Sequence, residues 1–165
     1  MPLWDSFDKN EVFLLIFNAA VYLGFFLLPK KFTPHMKFLS LMWGFTIGLL
    51  FDFTIGGGLI DYYRVNDLNK YEVADIFYYL LFAPFGYYFF YFYDAIKIRK
   101  ESFIVYVLIW AFIGVIALWI LTFVDIITFQ KGYQLSYSFP VFLFTQTISA
   151  IYFELVKQRE HVLIN

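Results

Sequence analysis

Cysteine is absent from this 165-residue chain, which removes disulfides, thiolate metal sites, iron–sulfur clusters and thiol nucleophiles together. Histidine is scarce. His35 and His161 both fall outside the apolar runs, so no histidine pair holds a haem within them. Charged residues reach only 15%, and 12 Lys and Arg against 13 Asp and Glu leave a net −1. With no basic excess, nucleic acid is not an expected partner. The signatures HExxH, GxSxG and the phosphate-binding Walker loop are missing. No lysine sits inside an apolar run where it would carry a retinal-type Schiff base. The sequence therefore nominates no catalytic residue, no cofactor and no metal site, and a non-enzymatic role is the expectation.

What the chain does have is apolar and aromatic bulk. Apolar residues make up 62%, and 24 Phe, 14 Tyr and 4 Trp bring aromatics to 25%. An ordinary soluble domain is about 45–50% apolar, and a chain this small has too little interior to hide the surplus. Lipid is the expected solvent. Five apolar runs approach the roughly 20 residues needed to cross about 30 Å of hydrocarbon. They are continuous rather than alternating, which predicts helices and not a transmembrane barrel. The expected fold class is therefore all-α, a polytopic membrane protein built as a five-transmembrane-helix bundle in one domain, 1–165. The helices are placed at about 12–28, 34–60, 76–93, 103–124 and 137–156, with Thr33 as a cap and Pro34 in the first turn of the second. Short connections leave no room for a soluble domain. The Met1–Asp8 segment is acidic rather than basic and no small-residue cleavage site follows the first run, so no cleaved signal peptide is expected.

Lysine and arginine orient the bundle. One end would carry Lys30, Lys31, Lys37, Lys97, Arg99, Lys100, Lys157 and Arg159, the other only Lys9, Arg64, Lys70 and Lys131. This predicts an external N-terminus and a cytoplasmic C-terminus. The external face then holds Asp5, Asp8, Glu11, Asp61, Asp67, Glu72, Asp75 and Asp125.

Polar groups inside the runs need a reason. Asp52 lies about 21 Å beyond Phe38 at 1.5 Å per residue. It continues a ridge of small residues, Ser40, Gly44, Gly48 and Gly56, spaced for close helix contact. Three readings stay open: a cation or proton site, a hydrogen-bonded carboxyl locking helices together, or a helix that ends near Phe51. Asn18 and Gln146 fall at similar depth, and helices 1 and 2 are expected to be antiparallel neighbours, so an Asn18–Asp52 hydrogen bond is within reach. Asp61, Asp75 and Asp125 form either an acidic ring that concentrates cations or ordinary solvated helix ends. The loop from Asp61 to Lys70 offers oxygen ligands without EF-hand spacing. Glu154 and Lys157 are placed for an i,i+3 pair. Gly56-Gly57-Gly58 either ends the second helix or lets it line a cavity. Pro84 and Gly86 suggest a kink. The run Tyr87–Tyr93 reads as an interfacial aromatic belt, although a quinone, carotenoid or sterol pocket would use the same rings.

The segments Asp61-Tyr62-Tyr63, Lys70-Tyr71-Glu72, Ala83-Pro84-Phe85-Gly86-Tyr87, Tyr91-Phe92-Tyr93-Asp94 and Tyr137-Ser138-Phe139-Pro140 resemble a family of small multi-pass membrane proteins of Bacillus-type bacteria. The resemblance implies a bacterial plasma-membrane location. That family has no assigned activity, so nothing follows on mechanism. Two roles remain. One is a structural or accessory protein that meets a second copy or a membrane-protein partner through faces such as Gly44/Gly48. The other is a small cation- or proton-linked transporter or channel subunit using Asp52.

Overall fold

A computed structural model describes residues 9–65 and 73–159. Asp5, Asp8, Asp67, Lys70, Glu72 and His161, and the second half of the Asp61–Lys70 loop, lie outside the described residues. Five helices run α1 Lys9–Leu27, α2 Pro34–Thr54, α3 Val73–Ala95, α4 Lys100–Phe123 and α5 Ser138–Arg159. Among the described residues, α1, α2, α4 and α5 are long and apolar enough to cross a membrane. α3 is tyrosine-rich: 6 of its 23 residues are Tyr.

Helix ends differ from the apolar runs for identifiable reasons. Charged residues such as Lys9 and Lys100 extend α1 and α4 beyond their apolar stretches, because helix geometry tolerates them at exposed ends. α2 instead stops at Thr54, six residues short of Ile60. Past that point the chain doubles back, with the amides of Leu59 and Ile60 donating to the carbonyls of Phe53 and Thr54. A side chain at Gly58 would collide with the Phe53 backbone, so the glycine triplet ends the helix in a fold that other residues could not make. At the opposite end Thr33 caps α2 as expected, its hydroxyl accepting from the Met36 amide at 3.3 Å.

α3 is the hub. It packs on α1, α2 and α5 and reaches α4 through Tyr106, whose hydroxyl donates to the Phe89 carbonyl at 2.5 Å. Among its described side chains only Ile76, Phe92 and Ala95 are exposed. The most tyrosine-rich helix is thus the most enclosed one. This corrects the expectation that α1 and α2 are neighbours: the polar groups of α1 bond to α3 instead. The Asn18 amide donates to the Phe77 carbonyl at 2.9 Å, and the Tyr88 hydroxyl donates back to Val21 at 2.5 Å. Tyr22 supplies what Pro84 removes. A proline has no N–H for the carbonyl four residues earlier, and the Tyr22 hydroxyl donates to that carbonyl, Leu80, at 3.0 Å.

α2 meets α3 backbone to backbone. A methyl on Gly86 would sit 2.6 Å from the Gly44 backbone and from the Ser40 carbonyl, and one on Gly48 would strike the Phe82 ring. The ridge is therefore covered within the same chain, by α3 from Ser40 to Asp52 and by Tyr63 at Gly56.

The two ends of the bundle are built differently. At the basic end, Phe32, Phe90, Tyr93 and Phe153 join one aromatic cluster, with Phe90 and Phe153 stacked at 5.0 Å. The run Tyr87–Tyr93 belongs to this core, since Tyr87, Phe89, Phe90, Tyr91 and Tyr93 are buried. It is not a belt facing outward. Asp94 sits beside it between two lysines: Lys31 at 2.9 Å and Lys157 closer still. Lys157 thus pairs with α3 rather than with Glu154. At the opposite end, β1 Tyr63–Val65 and β2 Ile127–Phe129 form an antiparallel ladder with Tyr63 opposite Phe129. This small sheet, absent from the helical expectation, caps a second cluster around Leu14, Tyr78, Leu81 and Ile126.

Candidate functional site

Between the two clusters lies a half-enclosed cavity of about 160 Å³, walled chiefly by α2, α3, α4 and α5, with Phe17 of α1 also lining it. Its floor is Trp43, Phe89 and Trp110, and its roof is Tyr63, Tyr78 and Leu121. Glycine shapes the walls. Side chains at Gly48 and Gly114 would clash with the Phe82 and Phe142 rings, so both rings pack close against these glycines. α2 and α5 are tied together below the cavity by Trp43. Its ring stacks on Tyr152 at 4.0 Å and its indole N–H donates to Ser149 at 2.9 Å. An engineered apolar cavity of about 150 Å³ takes up benzene and stays dry, so this one has room for a ring or a stretch of hydrocarbon chain.

No described residue lining the cavity carries charge. Most of its polar side chains are already committed. The hydroxyls of Thr145 and Ser149 donate to the Val141 and Thr145 carbonyls, both at 2.8 Å. Ser138 pairs with the Tyr133 hydroxyl at 3.0 Å. Gln146 is the exception: half-buried on the cavity wall, its amide makes no hydrogen bond to a described residue.

Asp52 lies elsewhere, in the last turn of α2 facing α3, and is 6% exposed. Its Oδ2 accepts from the Tyr79 hydroxyl at 2.5 Å, while its buried Oδ1 has no hydrogen-bond partner among the described residues. Asp75, buried at the start of α3, is within electrostatic reach of it, as are the hydroxyls of Tyr63 and Tyr78. Burial first, and then the Asp52 carboxylate, push the Tyr63 hydroxyl above its ordinary pKa. This hydroxyl therefore stays protonated.

The expected Asn18–Asp52–Gln146 cluster does not form. Asn18 gives its amide hydrogens to the Leu14 and Phe77 carbonyls, leaving its own buried oxygen unpaired. Gln146 lines the cavity and Asp52 does not. The cause is the order of helices, since α3 occupies the position expected of α2 beside α1. The acidic ring does not form either. Asp61 pairs with Lys131 at 3.2 Å and Arg64 at 3.8 Å. Asp75 is buried, and Asp125 is exposed at a left-handed turn with φ 59°. Among the described residues no group of His, Asp and Glu is placed to hold a metal ion.

Sequence reasoning passed over the cavity and Tyr79. Pro84 carried a usable signal, because it frees a carbonyl that needs a donor from another helix. The cavity carried none, because the five helices that touch it do so through residues typical of any apolar face. No family model, curated protein sequence or solved structure matches this chain.

Proposed function

We propose that the chain is a five-span protein of the bacterial plasma membrane that works by binding an apolar chain in its central cavity, not by catalysis. α3 counts as the fifth span: its apolar run, 76–93, reaches about 27 Å at 1.5 Å per residue, and its tyrosines face protein rather than lipid. The lysine and arginine asymmetry supports an external N-terminus and a cytoplasmic C-terminus, and the resemblance to Bacillus-type membrane proteins supports the location. The cavity is the observation that carries the function. Packed interiors hold few voids larger than a water molecule, and lipid tails are the most abundant occupant at this depth. Association with a second copy or another membrane protein would need a face other than Gly44/Gly48, which α3 covers.

The test is native mass spectrometry of the chain released from mild detergent. Wild type retains a lipid-sized adduct, and Ala117→Phe, which fills the cavity wall, loses it while keeping its melting temperature. Adducts of equal mass and occupancy on both would defeat the proposal.

A second reading, a cation- or proton-linked transporter, is favoured by the unpaired buried oxygen of Asp52. Intramembrane carboxyls commonly mark ion or proton paths. Proteoliposome flux decides it: Asp52→Asn abolishes flux on this reading, and no wild-type flux above empty liposomes removes it.

A further inference from the structure

We infer that the cavity selects an uncharged amphiphile, a single apolar chain ending in a hydroxyl or carbonyl, and that Gln146 reads that group. This rests on the cavity reading above and names its ligand class.

Two observations meet here. The first is the absence of charge: aromatic rings, aliphatic side chains and internally bonded hydroxyls make up the wall. A phosphate or carboxylate inside would lie in a low-dielectric space with no cation to compensate it, and that burial is prohibitive. No described lysine or arginine lines it. Lys31 and Lys157 are engaged with Asp94.

The second is Gln146. It lies eight residues into α5 from Ser138, about 12 Å along the helix, and beside this apolar space its amide makes no hydrogen bond to a described residue. Every other hydroxyl named on that wall bonds within the protein. An amide offers two donors and an acceptor, so it complements either a carbonyl or a hydroxyl. It cannot neutralise an ion. The chain would run past Phe82 and Phe142, which pack close against Gly48 and Gly114.

Trp43 and Trp110 line the cavity and report on it directly. In a Trp4→Phe, Trp119→Phe background, full-length protein in detergent is titrated with 12-bromododecanol, 1-bromododecane and, at pH 8, 12-bromododecanoate. Bromine quenches nearby indoles. The alcohol is expected to quench saturably, with an affinity roughly fivefold above the other two, the equivalent of one net hydrogen bond. Gln146→Met, of similar length, should bring the alcohol down to the level of bromododecane. The ranking of the three probes on unsubstituted Gln146 stands alone, so a misfolded variant does not rescue the idea. Equal saturable quenching by all three overturns head-group selection but leaves the cavity reading intact. No saturable quenching by any probe overturns both.

Discussion

Asp94 and Asp52 are equally buried, each 6% exposed, yet the two ends of the molecule treat them in opposite ways. Asp94 meets two lysines and abuts a closed aromatic core. Asp52 meets one tyrosine hydroxyl and keeps an unpaired oxygen. The same contrast holds for packing, since the basic end is filled and the cavity opens above it. The ion pairs and the larger aromatic cluster sit at one end of the bundle, and the room for binding lies between that cluster and the second one.

The largest expected effect lies in the filled half. Phe153 is fully buried among Phe32, Phe90 and Tyr93, so Phe153→Ala should cost about 3–5 kcal/mol. Phe142→Ala, on the cavity wall, should cost less than half of that because a void is already present. Equal losses in detergent unfolding would erase the contrast between the halves.

Asp94→Asn comes next. Breaking a fully buried ion pair costs about 3–5 kcal/mol, and partial exposure of both lysines reduces the expectation to roughly 2 kcal/mol. Asp94 also has a pH signature, because it lies one residue beyond the apolar run of α3. Burial alone would raise its pKa, but the ammonium groups of Lys157 and Lys31 outweigh that and hold it below the ordinary value. Its stabilisation is therefore present above the unfolded carboxylate pKa of about 3.9 and is lost as pH falls through the lower folded value. Melting curves of wild type and Asp94→Asn should converge in acid. Parallel curves would show that the lysines do not compensate this carboxylate.

Smaller changes probe the joints. Tyr22→Phe removes the donor that serves the Leu80 carbonyl and should cost about 1 kcal/mol, within the range for interhelical hydrogen bonds in membranes. Asp52→Asn should shift stability by no more than about 1 kcal/mol in either direction, because the amide still accepts from Tyr79. A loss as large as that of Asp94→Asn would make Asp52 a structural carboxylate like its counterpart.

Much of the helical framework was legible because an apolar run and its flanking charges are local properties. Thr33 and Pro34 marked the start of α2, and the small-residue ridge marked a close helix contact without naming its partner. The order of helices was not legible. It depends on which hydroxyl meets which carbonyl, and Asn18 and Tyr22 choose α3 only because Pro84 and the turns of that helix offer carbonyls there. Tyr87–Tyr93 misled for a related reason: tyrosine suits both a headgroup belt and a core whose hydroxyls find backbone acceptors. The sheet at Tyr63–Val65 and Ile127–Phe129 joins strands too short to carry an alternating pattern. Gln146 was legible as a polar group at depth, but its place on a cavity was not, since a cavity is defined by what separate segments fail to fill.

The most direct measurement is photolabelling in membranes with an uncharged diazirine-bearing long-chain alcohol, followed by peptide mapping of α4 and α5. Leu118 and Phe142 line the cavity, whereas Ile116 and Phe144 on the same helices face outward at 54% and 67% exposure. The account predicts saturable adducts on Leu118 and Phe142, displaced by unlabelled alcohol, above a non-saturable background on Ile116 and Phe144. Adducts confined to Ile116 and Phe144, undiminished by competitor, would contradict it.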